Sequence, residues 1–207
     1  MRLLPVLALL ISAACVEREK MGSDADSRQP YGADGEESAI PREEAATARA
    51  VAPADTPTVV FIGTSLTAGY GLAPQRAFPA AVQRLAAADD LPVRVVNAGL
   101  SGETSAGALR RVEWVLRSPA DVVVIETGAN DGLRALNIDA TRANITAIVQ
   151  RIMRVQPAAR VFLVQMEAPP NFGADYTARF RDMYPSIARE TGATLVPFLL
   201  EGVAAIP

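Results

Sequence analysis

Three short segments carry the residues of this chain that could do acyl chemistry. "GTSLTAG" (63–69) sets the hydroxyl of Ser65 among glycines. "NAGLSGETS" (97–105) offers the backbone N–H of Gly102, and "ETGANDG" (126–132) the side-chain amide of Asn130. Together they supply one attacking oxygen and several donors for a tetrahedral oxyanion, which is the inventory for acyl transfer. Singly, each has a plainer structural reading. Ser65 can be a small residue in a tight turn, Gly102 a turn glycine after a strand, and Asn-Asp-Gly a routine turn or helix cap. Phosphate cradling fits poorly, because the first segment lacks the lysine of GxxxxGK[ST] and the spacing of GxGxxG. A serine nucleophile also needs a base to take its proton, and these 207 residues contain no histidine.

The elements between the segments must position them. "TVVFIG" (58–63), "VRVVNAG" (93–99), "DVVVIETG" (121–128), "RVFLVQM" (160–166) and "ATLVPF" (193–198) read as strands. Helical spacing lies between them. It covers "PQRAFPAAVQRLAAADD" (74–90), with Phe78, Val82 and Leu85 on one face, and "SAGALRRVEWVLRS" (105–118), with Leu109, Val112 and Leu116 inward. It continues in "ATRANITAIVQRIMRVQ" (140–156), for which Asp139 is the predicted cap, and in "DYTARFRDMYPSIARE" (175–190), where Pro185 predicts a kink or break. This alternation predicts a three-layer α/β/α fold, a parallel sheet with helices on both faces. The near-continuous apolar strands agree, since such strands are buried on both sides. Ligands of open α/β sheets sit beyond the carboxyl ends of the strands. The three polar segments follow strands one, two and three.

Taken in order, "GTSLTAGYGL" (63–72), "NAGLSGETS", "GAND" (128–131), "QMEAPPNFGADYTARFRDMYPSIA" (165–188) and "LVPFLLEGV" (195–203) are recognisable. From about Thr58 to Pro207 the chain resembles the SGNH, or GDSL, hydrolase family, and within it the bacterial thioesterase I / lysophospholipase L1 and arylesterase group. The resemblance implies the flavodoxin-like SGNH hydrolase fold. It implies Ser65 as nucleophile, with an oxyanion hole made by the N–H groups of Ser65 and Gly102 and the amide of Asn130. It implies no metal and no organic cofactor. The substrates it implies are acyl or aryl esters, acyl thioesters and lysophospholipids.

Two departures from the family pattern matter. Thr64 stands where the family usually has aspartate; threonine can still hydrogen-bond locally, so the expected effect is mild. The family's DxxH block, source of the catalytic histidine and its orienting aspartate, is absent before Pro207. The expectation is a C-terminally truncated domain, lacking its final helix, with both residues encoded beyond Pro207 and the given chain nearly inactive. Glu103, Glu126 and Asp131 lie near the site in sequence, but none has the pattern of a substitute base, and Asp131 reads as structural.

The N-terminus has its own logic. "MRLLPVLALLISAAC" joins one positive residue to a short apolar run and then small residues, a secretory signal pattern. Cys15, the chain's lone cysteine, sits where a bacterial lipoprotein signal places its lipidated residue; an ordinary cleaved signal is the plainer alternative. Residues 1–15 are therefore read as a signal ending at a lipidation site, 16–57 as a disordered acidic linker, and 58–207 as the hydrolase domain. The predicted location is the periplasm, or a bacterial membrane reached through lipidated Cys15. The net charge of −3 argues against a nucleic-acid partner. Two rival functions remain at this level: a non-catalytic lipoprotein module that only binds acyl or glycan ligands, and a carbohydrate O-acetyl esterase on the same fold.

Overall fold

The computed structural model describes residues 55–203. The readings for residues 1–54, including the signal, Cys15 and most of the linker, lie outside the described residues.

Five strands form one all-parallel sheet in the order β2-β1-β3-β4-β5. They are β1 (Thr58–Gly63), β2 (Arg94–Gly99), β3 (Val122–Glu126), β4 (Arg160–Val164) and β5 (Thr194–Val196). This is the flavodoxin-like α/β arrangement. Between them run α1 (Ser65–Ala68), α2 (Phe78–Ala88), α3 (Ser105–Val115), α4 (Ala129–Leu133), α5 (Ile138–Val155) and α6 (Ala174–Thr191). Right-handed crossovers put α2 on one face of the sheet and α3, α5 and α6 on the other. The packing agrees: α3 lies against α5 and α5 against α6, while α2 packs on β2.

The central strands β1 and β3 are buried at every residue, as continuous apolar runs require. α5, which packs on the neighbouring strand β4, buries Ile145, Ile148, Val149 and Ile152 at intervals of three and four residues. Each such side chain stabilises the fold by about 1.5–3 kcal/mol. On the α2 side, Phe61 meets Phe78 edge to face, with ring centroids 5.5 Å apart.

Four local expectations are corrected. β2 is an edge strand and is largely half-buried or exposed, because only one neighbour covers it. The helix expected from Pro74 begins at Phe78, since Pro74–Arg76 forms a separate 3-10 turn. The cap of α5 is Asn137, whose side chain accepts from the Ala140 N–H at 2.9 Å; Asp139 lies inside the first turn. α6 runs unbroken through Pro185. The proline removes one backbone donor, but Tyr184 and Ile187 on either side are fully buried and hold the helix in register.

Candidate active site

β1, β2 and β3 end level with one another, Gly63 pairing in register with Gly99 on one side and Glu126 on the other. The chain then turns into three short segments. After β1, Thr64 precedes the single turn α1, which Gly69 ends in the left-handed conformation (φ 73°). Ser65 is the first residue of that turn and is half-buried. Its hydroxyl and its N–H have no hydrogen-bond partner among the described residues.

The turn is fixed from below by a buried carboxylate. Glu126, 1% exposed at the end of β3, accepts four hydrogen bonds. Its Oε2 accepts from the Thr64 N–H at 2.9 Å, the Thr67 N–H at 3.3 Å and the Thr67 hydroxyl at 2.8 Å; its Oε1 accepts from the Thr64 hydroxyl at 2.8 Å. Burial pushes the Glu126 carboxyl above the ordinary glutamate range, and the bonds from Thr64 and Thr67 pull in the opposite direction without cancelling it. The sequence departure at Thr64 finds its explanation here: its hydroxyl is one of the four donors. The approach is so close that a Cβ on Gly63 would lie 2.0 Å from the Thr67 Oγ1 and 2.7 Å from the Glu126 Oε2. Only glycine fits.

The second segment is held differently. Gly102 has φ +78° and faces open space. Its N–H has no acceptor among the described residues, while its carbonyl accepts from the Arg134 guanidinium at 3.2 Å. Glu103 closes the turn by donating its N–H to the Leu100 carbonyl at 3.2 Å.

In the third segment Asn130 lies in α4, half-buried. One N–H of its amide donates to the Glu103 carbonyl at 3.0 Å, which ties the third segment to the second and leaves the other N–H for a ligand. Tyr184 supports the same loop from α6, its hydroxyl donating to the Thr127 carbonyl at 2.8 Å. Asn97 links β2 to α1 through the Thr67 carbonyl at 2.7 Å. The three segments are thus joined to one another by named hydrogen bonds.

The nearby carboxylates are all engaged. Glu103 forms a bidentate pair with Arg111, both contacts at 2.6 Å. Asp131, 2% exposed, accepts from the Ser105 N–H at 2.8 Å and hydroxyl at 2.6 Å, and from the Thr141 hydroxyl at 3.2 Å. Glu126 serves Thr64 and Thr67. None is free to take a proton from Ser65, which agrees with reading Asp131 as structural. Among the described residues no group of three or more His, Cys, Asp or Glu could hold a metal ion.

The model of the GDSL-like lipase/acylhydrolase family matches residues 61–205, which include all three segments. The chain belongs to that family. It is 37% identical over 151 residues to the esterase TesA of Pseudomonas aeruginosa, covering 72% of this chain and 74% of that protein. It is 35% identical over 147 residues to thioesterase 1/protease 1/lysophospholipase L1 of Escherichia coli K12, covering 70% and 68%. Among solved structures it superposes on AlinE4, an SGNH-hydrolase family esterase, with a TM-score of 0.70 and 36% identity, over 74% of this chain and 82% of that one. A serine hydrolase acting on esters is the class these likenesses establish.

Sequence reasoning missed the structural weight of Glu126 and Thr67 in this GDSL-family site. The signal was present: an acid ending an otherwise apolar strand, and two threonines three residues apart, which one helical turn brings to the same side.

Proposed function

We propose that this family member is an exported esterase of the arylesterase / acyl thioesterase / lysophospholipase type, working through an acyl-serine intermediate. Ser65 Oγ attacks the carbonyl carbon of an ester or thioester and gives its proton to an imidazole. The oxyanion is held by the N–H groups of Ser65 and Gly102 and by the free N–H of Asn130. Collapse expels the alcohol or thiol, which takes the proton from the imidazole, and water then releases the acyl group by the same route in reverse. The imidazole is supplied from outside these 207 residues. Export, and attachment to the membrane through a lipidated Cys15, belong to the same proposal.

The observation that carries this reading is the contrast in hydrogen bonding. Among the described residues the Ser65 hydroxyl, the Ser65 N–H and the Gly102 N–H lack partners, while Thr64, Thr67 and Asn130 beside them are paired.

The test compares hydrolysis of a p-nitrophenyl acyl ester by the 207-residue chain and by the product of the same locus read past Pro207. A longer product bearing a histidine should be faster by roughly 10²–10⁴-fold. Ser65→Ala should abolish that gain. A histidine-bearing product no faster than its Ser65→Ala variant sinks the esterase reading and favours a module that only binds.

A further inference from the structure

We propose that the cavity beside Gly102 is an anion subsite, in which Arg110 and Arg134 hold a phosphate carried by the leaving group of the substrate. The proposal rests on the Ser65 reading above, and it names which part of the substrate is recognised. The cavity is about 520 Å³ and is bounded by Gly102, Glu103, Thr104 and three arginines, Arg110, Arg111 and Arg134. Its lining has three guanidinium groups and one carboxylate. Glu103 is fully used by Arg111 in the bidentate pair. Among the described residues Arg110 and Arg134 therefore remain without a carboxylate partner. The other acid of α3, Glu113, pairs with Arg154 at 2.7 Å and not with Arg110. No carboxylate among the described residues pairs with Arg134 either. A concave, doubly positive surface in a chain whose net charge is −3 is where an anion would settle.

Placement decides which anion. Gly102 takes part in both: its N–H is one of the proposed oxyanion donors, while its carbonyl is bound by Arg134. A group in this cavity is therefore only a short distance from the scissile carbonyl. A glycerophosphate leaving group carries its phosphate a few bonds from the ester oxygen and fits that separation. Coenzyme A carries its phosphates a whole pantetheine arm away. The shared chemistry is a phosphate held by forked guanidinium donors.

Binding can be read without turnover, so the 207-residue chain is the right material. Isothermal titration at low salt would compare 1-butyrylglycerol 3-phosphate, 1-monobutyrin and butyryl-coenzyme A. The phosphate ester should bind about tenfold more tightly than monobutyrin, as one or two charged hydrogen bonds allow. That ratio should fall to about one in Arg110→Glu and in Arg110→Ala, with melting temperatures confirming that both variants fold. Added salt should shrink it as well. Equal affinities for the two glycerol esters would overturn the subsite and leave the Ser65 reading untouched. A ratio that survives both Arg110 substitutions would also overturn it. An Arg110-dependent preference for butyryl-coenzyme A over the glycerophosphate would keep the phosphate subsite but assign it to thioesters. Failure of the Ser65 reading would appear separately, in the hydrolysis comparison above.

Discussion

The turn carrying Ser65 and the turn carrying Gly102 sit side by side at the carboxyl end of the sheet, yet they are held in opposite ways. The first is anchored to a buried carboxylate through four hydrogen bonds and packs so closely that Gly63 has no room for a methyl group. The second is exposed, adopts a left-handed glycine conformation in open space, and is braced from outside by Arg134 and Asn130. The difference teaches where each part of such a site gets its precision. In the proposed roles, the Ser65 oxygen must be placed within a fraction of an ångström, which a desolvated network can do. The Gly102 donor, meeting substrates of different shape, can be fixed by its backbone conformation alone.

The comparison breaks most severely at Glu126. Glu126→Ala strands four buried donors and should cost about 3–5 kcal/mol, measured by urea unfolding. A loss below 1 kcal/mol would show that the network is slack. Glu126→Gln should cost much less. Its oxygen can take the place of Oε2, and its amide can donate to the Thr64 hydroxyl, which then acts as acceptor.

The next effect concerns pH. The folded-state pKa of Glu126 is raised above its ordinary 4.5, so the folded chain holds that proton more tightly than the unfolded chain. The stability this contributes is fully present below 4.5 and is lost as pH rises through the raised value. Glu126→Gln should flatten that decline in a series of melts. Thr64→Asp, which restores the usual family residue, sets a second carboxylate beside the first. It should steepen the decline and cost about 1–3 kcal/mol at neutral pH, recovered in acid. A variant as stable at neutral pH as the parent would mean that Glu126 is not held in place.

The smaller effects fall on the other turn. Gly102→Ala meets no atoms but must adopt φ +78°, a strain of about 1–2 kcal/mol. Unfolding measurements should find it far milder than Gly63→Ala, where a Cβ would collide with Thr67 and Glu126. Equal penalties would erase the distinction between the two turns.

Much of this protein was legible in its residues. The strands announce themselves as continuous apolar runs because a sheet covered on both faces tolerates little else, and β1 begins at Thr58 as the sequence reads. The order of Ser65, Gly102 and Asn130 at successive strand ends follows from the same alternation. Local signals faltered where two neighbours compete for one role, as with Asn137 and Asp139 at the start of α5. They also faltered where long-range packing overrides propensity, as in the intact helix around Pro185 and the exposed edge strand β2.

The tertiary structure alone decided what the charged residues do. Glu103, Glu126 and Asp131 look alike in sequence, three acids close to a serine. Folding gives Glu126 to Thr64, 62 positions away, Asp131 to Ser105, 26 positions away, and Glu103 to Arg111. The reason is physical. Hydrophobic periodicity is written locally and fixes the elements. The partner of a buried polar group is whichever donor the packed elements bring within hydrogen-bond distance, and that is settled only when the sheet is assembled.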